Sequence, residues 1–349
     1  MSGPSVTLDG RVLRVLVHRI LLGFHGMLIA FSASGTQSIA PDSEDCASTL
    51  QSALWIDLFN PTVEETRAVE SALLLHLPTR VEAQEIEISS RLYIENGTAF
   101  MTATAMVGAD TPHPETSPVT FAYQPRRLVT LRFAAPKPFL TFPRKLARSA
   151  AAYSTAQKLL LGLMDEVVDR VADILEAIGA DLNSVSRDVF FDDGPRASRD
   201  YTGVLTRIGH IGERAANARE SLVTVSRLLA FFAEARPNLG GHEPLDEHWL
   251  TVVKDVSALT DHATFLSNKV NFFLDATLGR ISIDQNRVIK MFSVLAVIFL
   301  PPTLVASIYG MNFEHMPELG WPIGYPYSLV VMTISAVIPY AFFRWKRWL

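Results

Sequence analysis

The chain has 349 residues, of which 48% are apolar, and a formal net charge of −5 at pH 7. Its single cysteine, Cys46, excludes an intrachain disulfide and a cluster of thiolate metal ligands, so the water-soluble part fits a reducing cytoplasm. Most of the apolar excess lies near the C-terminus, whereas nearly all the charge, in both signs, lies in residues 1–290. This distribution indicates a membrane protein with a large soluble region, and we expect no nucleic-acid partner.

Residues 12–31 are apolar enough to resemble a signal peptide or a membrane span. Four side chains interrupt the run: Arg14, His18, Arg19 and His25. Because neither a continuous apolar core nor a small-residue cleavage site remains, we predict a β-strand beginning at Met27 and no signal peptide. Residues 1–26 are interpreted as a disordered extension or a misassigned start.

Residues 27–150 combine short β-type runs with turn signals. The runs cover residues 99–105, 119–123 and 128–133, and Asn96-Gly97 predicts a two-residue hairpin. Thr62 followed by Glu65 is typical of a capping box, which predicts a helix over residues 65–75. We therefore expect a cytoplasmic α/β domain over residues 27–150.

Helical periodicity begins after residue 150. Apolar residues recur at spacings of three and four, with breaks at residues 192–195 and 236–241, which predicts a cytoplasmic helical hairpin over residues 151–241. Residues 242–312 should form one continuous stalk helix, roughly 105 Å long. Such a helix needs neighbours along its length, so we expect lateral packing, oligomerisation, or both.

Two uncharged stretches predict membrane spans. The first span is predicted at about residues 291–310. Its uncharged run from Met291 to Tyr309 has 19 residues and spans roughly 29 Å as a helix. The second runs over residues 325–343, within a C-terminal segment 325–349 that ends in a basic tail. Basic residues flank both spans on one side: Arg287, Lys290, Arg344, Lys346 and Arg347. Both termini should therefore be cytoplasmic, and the loop 313–324 should face outside.

Most residues on one stripe of the first span are small or polar. It contains Asn286, Ile289, Ser293, Ala296, Leu300, Thr303, Ser307 and Gly310. The opposite stripe is larger and more apolar, and we expect it to face lipid: Met291, Val294, Ile298, Pro302 and Val305. The polar stripe indicates either ordinary helix packing or a pore, and a pore requires several copies of the chain around an axis.

The stripe ends at Tyr309-Gly310-Met311-Asn312, followed by Met316-Pro317-Glu318-Leu319, Gly324-Tyr325-Pro326, the second span and a basic aromatic tail. Over residues 27–349 the chain resembles the CorA family of magnesium transporters, whose signature is Gly-Met-Asn at the outer end of the first span. The resemblance implies a homopentamer in the bacterial inner membrane, with a cytoplasmic α/β funnel domain, a stalk helix continuing into the first span, a short outer loop and an outer ring of second spans. It implies gated uptake of Mg²⁺, and also of Co²⁺ and Ni²⁺, with no resident cofactor and no enzymatic activity.

Residue roles follow from this resemblance and from ion chemistry. Gly310, Met311 and Asn312 should form the selectivity motif, because a ring of amide oxygens can contact the water shell of an ion that dehydrates reluctantly. Thr303 and Ser307 should supply further oxygens. Leu300 and Phe292 should form apolar constrictions. The pore lining is completed by Ser293, Ala296, Ile289, Asn286 and Asp275, the last two matching the family's lower polar ring and its acidic ring.

Other charged groups leave alternatives open. Glu314 and Glu318, with His315 between them, either concentrate cations through their field or trap a metal. The family senses cytoplasmic Mg²⁺ through carboxylates between subunits; Thr251 occupies the expected position, so Asp255 and Asp261 are the candidates for regulatory Mg²⁺.

Three other functions compete with Mg²⁺ uptake. A Zn²⁺ transporter of the same fold is disfavoured by the retained Met311 and by the lack of His or Cys in the spans. A membrane-anchored sensor or scaffold would not need the polar stripe. An enzyme is not indicated, because no phosphate loop, nucleophile elbow or ligand cluster is present in the sequence.

Overall fold

The computed structural model describes residues 27–32, 35–111, 113–190, 200–240, 244–311 and 316–346. The chain divides into two compact units, Met1–Phe273 and Leu274–Leu349. Each unit is described by itself below.

Seven strands of the first unit form one sheet in the order β2-β1-β3-β7-β6-β5-β4. The strands are β1 (Met27–Ser32), β2 (Gly35–Ser38), β3 (Trp55–Phe59), β4 (Leu92–Glu95), β5 (Thr98–Val107), β6 (Glu115–Gln124) and β7 (Arg127–Arg132). Neighbours are antiparallel except β3 and β7, which are parallel. The strands predicted at Met27 and over the three β-type runs are confirmed.

Two local signals position the first helices and the first hairpin. Asn96 and Gly97 both have positive φ, 48° and 74°, as a two-residue hairpin between β4 and β5 requires. The backbone amide of Thr62 donates to Glu65 Oε2 at 2.8 Å, and the amide of Glu65 donates to Thr62 Oγ1 at 3.2 Å. The predicted capping box is confirmed, although its helix spans Val63–Leu73, two residues earlier than expected at each end.

Helices cover both faces of the sheet. They are α1 (Cys46–Ser52), α2 (Val63–Leu73), α3 (Arg80–Gln84), α4 (Ile88–Arg91), α5 (Pro138–Arg148), α6 (Ala156–Phe190) and α7 (Tyr201–Ala235). One face packs Ile56 and Val129 with Leu50 of α1 and Val69 of α2 in a single buried cluster. The alternation of side chains along β3 and β7 sends their other residues to the opposite face.

Helix α7 supports the far end of the sheet on that opposite face. The Tyr123 and Phe232 rings meet edge-on, with centroids 4.8 Å apart. Strand β4 pairs only with residues 98–101 of β5. The backbone amides along the rest of that edge of β5 therefore need other hydrogen-bond acceptors. Thr224 Oγ1 of α7 supplies one, accepting the Thr104 amide at 2.9 Å.

The predicted break at residues 236–241 separates two of the long helices. A 3₁₀ turn, Arg236–Leu239, and Gly240 with φ 78° end α7. The other break, at 192–195, lies outside the described residues. Helix α8 (Glu247–Tyr309) has 63 residues, about 95 Å at 1.5 Å each. It confirms the continuous stalk and first span. The helix begins at Glu247, five residues after the predicted start at residue 242, and its end at Tyr309 is three residues short of the predicted Asn312.

The second unit contains the last part of α8 and a further helix, α9 (Gly324–Trp345). Among the described residues these two helices are long and apolar enough to cross a membrane. A 3₁₀ turn, Pro317–Gly320, precedes α9. A β-carbon at Gly324 would collide with the Glu318 carbonyl oxygen, so this connection folds tightly only with glycine at that position.

Candidate ion pathway

The stripe predicted to line a pore is exposed along α8. Its described members are all exposed in the single chain: Asp275, Asn286, Ile289, Phe292, Ser293, Ala296, Leu300, Thr303 and Ser307. At 3.6 residues per turn, the members from Ile289 to Gly310 fall within a sector of about 100°. The structure therefore presents small, hydroxyl and a few large apolar groups on one narrow face of the span.

The hydroxyl groups on this face are oriented by the helix backbone. Ser293 Oγ donates to the Ile289 carbonyl at 2.9 Å, and Thr303 Oγ1 donates to the Phe299 carbonyl at 2.7 Å. Since the hydroxyl hydrogen is already used, the remaining lone pairs of each oxygen act as acceptors. Such oxygens suit the water shell of a hydrated cation, whose hydrogens point outward.

The opposite stripe, which contains the larger apolar residues, is partly buried in the single chain. Val294 is only 3% exposed, and Ile298, Pro302 and Val305 are half-buried, whereas Met291 is exposed. The prediction that this stripe faces lipid is therefore wrong at Val294, and it stays a prediction for the other four residues. Lipid tails are as apolar as leucine, so large apolar side chains are equally suited to lipid and to helix packing, and the pattern alone does not separate the two.

The helix ends at the predicted selectivity motif. The Gly310 amide donates to the Ala306 carbonyl at 2.9 Å, and the Met311 amide donates one residue closer, to Ile308 at 3.2 Å. A β-carbon at Gly310 would lie 3.1 Å from the Ala306 carbonyl oxygen, so this position favours glycine. Asn312, Glu314 and His315 lie outside the described residues.

The remaining acidic candidates lie apart from each other. Asp255, Asp261 and Asp275 are exposed on α8, and Glu318 is half-buried in the turn before α9. Asp255 and Asp261 are separated by about 9 Å along the helix axis. In the part of the chain that the structure describes, no group of three or more His, Cys, Asp or Glu side chains could hold a metal ion. A site at Asp255 or Asp261 would therefore need ligands from another copy.

An ionic cluster joins α5, α6 and the start of α8. Lys145 Nζ lies 2.9 Å from Glu166 Oε1 and 3.3 Å from Asp165 Oδ2, while His248 Nε2 lies 3.7 Å from Asp165 Oδ1. Burial opposes the charge on Lys145, but its hydrogen bond to Glu166 and the two carboxylates together raise its pKa. The cluster was not predicted, because Lys145 and His248 are far from Asp165 and Glu166 along the chain. Lys145 offsets one of the two carboxylate charges, and these side chains are not among any described group that could hold a metal ion.

Comparison with known proteins decides the family. A family model described as CorA-like Mg²⁺ transporter protein matches residues 51–347. The magnesium transport proteins CorA of Salmonella typhimurium strain LT2 and Escherichia coli strain K12 are each 34% identical over 323 residues, 93% of this chain and 100% of the relative. This chain belongs to the CorA family.

The CorA fold is also found among solved structures. The complete structure of the CorA magnesium transporter from Methanocaldococcus jannaschii matches with a TM-score of 0.69, covering 93% of this chain and 99% of that one at 16% identity. The predicted fold class is confirmed: a mixed sheet with helices, and a long helix that continues into the first of two apolar spans. CorA proteins are membrane transporters of divalent cations, which also confirms that this chain is not an enzyme.

Proposed function

We propose that this CorA-family chain takes up Mg²⁺ through a gated pore whose outer mouth carries Gly310, Met311 and Asn312. The observation that carries the proposal is the exposed polar stripe on the first span. That stripe ends at Gly310-Met311-Asn312, and the chain is 34% identical to proteins named for magnesium transport. Co²⁺ and Ni²⁺ would follow the same path.

Assembly into a homopentamer is part of this proposal. Two membrane helices cannot enclose a water-filled path, so the stripe needs copies of itself around an axis. The soluble stretch of α8 supports assembly as well, because it exposes large apolar side chains: Leu250, Val253, Phe265 and Phe272. Exposed apolar surface of this kind marks interaction sites. The number five rests on the resemblance to the family.

The pore would contact the ion through neutral oxygens. Mg²⁺ keeps its water shell, so five Asn312 amides at the mouth and hydroxyls of Thr303 and Ser307 below it would bind hydrated ions weakly enough to release them. Phe292 and Leu300, 62% and 65% exposed, are apolar enough to gate the path by dewetting.

Charges at the two ends would assist the flow. Glu314 and Glu318 outside would concentrate cations, and Asp275 would form an acidic ring toward the cytoplasm. Asp255 and Asp261 would bind regulatory Mg²⁺ between copies. Both termini and residues 27–290 would lie in the cytoplasm of a bacterial cell, with residues 313–324 outside the inner membrane, and the membrane potential would drive entry, about 2.3 kcal/mol per charge per 100 mV.

Flux into proteoliposomes tests the proposal. The parent protein should admit Mg²⁺, and Asn312→Ala should abolish the flux; unchanged flux in that variant would contradict the assigned motif. Zn²⁺ in competition with Mg²⁺ tests the alternative substrate, and preferential Zn²⁺ uptake would overturn Mg²⁺ as the main one.

A matched pair of threonines tests the stripe itself. Thr303 and Thr333 are both exposed, and each hydroxyl donates to the carbonyl four residues earlier, at 2.7 and 2.9 Å. Thr303 is on the α8 stripe and Thr333 on α9. Thr303→Val should reduce Mg²⁺ flux several-fold, whereas Thr333→Val should not. Equal effects would show that the α8 stripe does not line the path. Native mass spectrometry should find five copies.

A further inference from the structure

A cavity opens in the soluble unit where its two parallel strands end. Its volume is about 320 Å³, and its lining includes Pro61, just after β3, and Leu131 and Phe133 at the end of β7. In open sheets with parallel strands, ligands bind at the carboxyl ends, where connections leave in different directions. This volume is within the range of small-molecule sites.

Two arginines give the cavity a positive charge. Arg67 of α2 and Arg80, the first residue of α3, both line it and are exposed. Within the described part of the chain, neither guanidinium forms an ion pair. Glu70, the carboxylate in the lining, is already bound by His76 Nδ1 and by the Leu77 amide, both at 2.8 Å. Arg67 interacts with the nearby Glu64 carboxylate only through the field of its charge, so both guanidiniums can donate hydrogen bonds to an anion from solution.

The rest of the lining is mainly apolar. It includes Pro61, Val63, Leu77, Pro78, Leu131 and Phe133. The Arg80 guanidinium lies over the Phe133 ring, 5.7 Å from its centroid, which holds a flat cation beside an apolar wall. A bare inorganic anion would leave this wall unused. An organic molecule that carries an anionic group would occupy both parts.

We propose that this cavity binds a small organic phosphate, with the phosphate between Arg67 and Arg80 and the organic part against the wall at Phe133. The two guanidiniums and the Glu70 carboxylate leave the lining with a formal charge of +1. A phosphate monoester carries about −1.5 to −2 at pH 7, and arginine forks bind phosphate oxygens in pairs. Nucleotides and sugar phosphates share this chemistry. The site is separate from the ion pathway and does not depend on the proposed transport.

Isothermal titration of the full-length protein in detergent, at fixed free Mg²⁺, tests the proposal. The ligands are adenosine monophosphate, glucose 6-phosphate, adenosine and inorganic phosphate. At least one organic phosphate should bind more tightly than both adenosine and inorganic phosphate. A preference for adenosine monophosphate would assign nucleotides, and a preference for glucose 6-phosphate would assign sugar phosphates.

The double variant Arg67→Gln/Arg80→Gln should bind the preferred phosphate at least about tenfold more weakly, because charge-assisted bonds are lost. Both side chains are exposed, so the fold should persist. Arg126→Gln is the control. Arg126 is also exposed and lies in the turn at the opposite end of β7, about 20 Å away.

Three results would overturn the site: no binding of either organic phosphate at millimolar concentration, equal affinity in the double variant and the parent, or adenosine or inorganic phosphate binding as tightly as the better organic phosphate. The Mg²⁺ flux of the same preparations is measured separately. Failure of this site would therefore leave the transport proposal standing, and the reverse also holds.

Discussion

Replacing Asp57 by alanine should destabilise the soluble unit strongly, because Asp57 neutralises a buried guanidinium. Arg132 is 1% exposed and Asp57 is 3% exposed. Nε and Nη2 of Arg132 donate to the carboxylate at distances of 2.9 to 3.2 Å. Thr130 Oγ1 donates to the same carboxylate at 2.7 Å, and Nη1 donates to the Ala134 carbonyl at 3.0 Å. The network is thus well satisfied only while both charges are present.

The expected magnitude follows from this burial. In Asp57→Ala the guanidinium stays between the rings of Phe59 and Phe139, at 4.5 and 5.2 Å from their centroids, with no counter-charge. Removing one partner of a buried pair costs about 3–5 kcal/mol. At about 2–4 °C per kcal/mol for a domain of this size, the melting temperature should fall by about 6–20 °C.

Thermal unfolding of the full chain in detergent, followed by near-ultraviolet circular dichroism, measures the shift. Asp188→Ala is the control, because Asp188 and Arg207 form an ion pair near the surface, with side chains 40% and 46% exposed, and such pairs are worth about 1 kcal/mol or less. The double variant Asp57→Ala/Arg132→Met should lose less stability than the two single variants added together, since no stranded charge remains. The reasoning is refuted if Asp57→Ala melts like Asp188→Ala, or if the double variant loses the full sum.

Two further predictions concern packing and pH. Gly162→Ala should lower stability by about 1–3 kcal/mol, because its β-carbon would lie 2.5 Å from the Tyr153 ring, whereas Gly179→Ala has free space and should raise it by about 0.5–1 kcal/mol. Equal shifts in melting temperature would contradict this. The hydrogen bond from Arg170 holds the pKa of Asp110 below its usual range, so its stabilisation is present above about pH 4 and is lost as the pH falls through the lower folded value. Asp110→Asn should therefore reduce the melting temperature slightly at pH 7 and by less toward pH 3; a constant difference would count against it.

Local patterns in the sequence predicted most elements because their causes are local. Thr62 and Glu65 are neighbours across one helical turn, and Asn96-Gly97 closes its hairpin through its own backbone angles. The parallel pairing of β3 with β7 was not predicted, since those strands are more than 60 residues apart and their register depends on side chains of the whole sheet. The cavity at their ends was missed for the same reason.

For the candidate ion pathway, too, some features were predicted from the sequence and others needed the tertiary structure. Periodicity along a single helix determined which face of α8 is small and polar, because the spacing of residues on a helix is set by its backbone. Only the tertiary structure showed that Val294 on the opposite stripe is buried, because apolar side chains suit lipid and protein equally. By itself, then, the sequence determined the two spans and the polar stripe. The tertiary structure decided which strands pair and which charges are compensated, as at Asp57 and Arg132. Both depend on atoms that meet only when distant segments pack together.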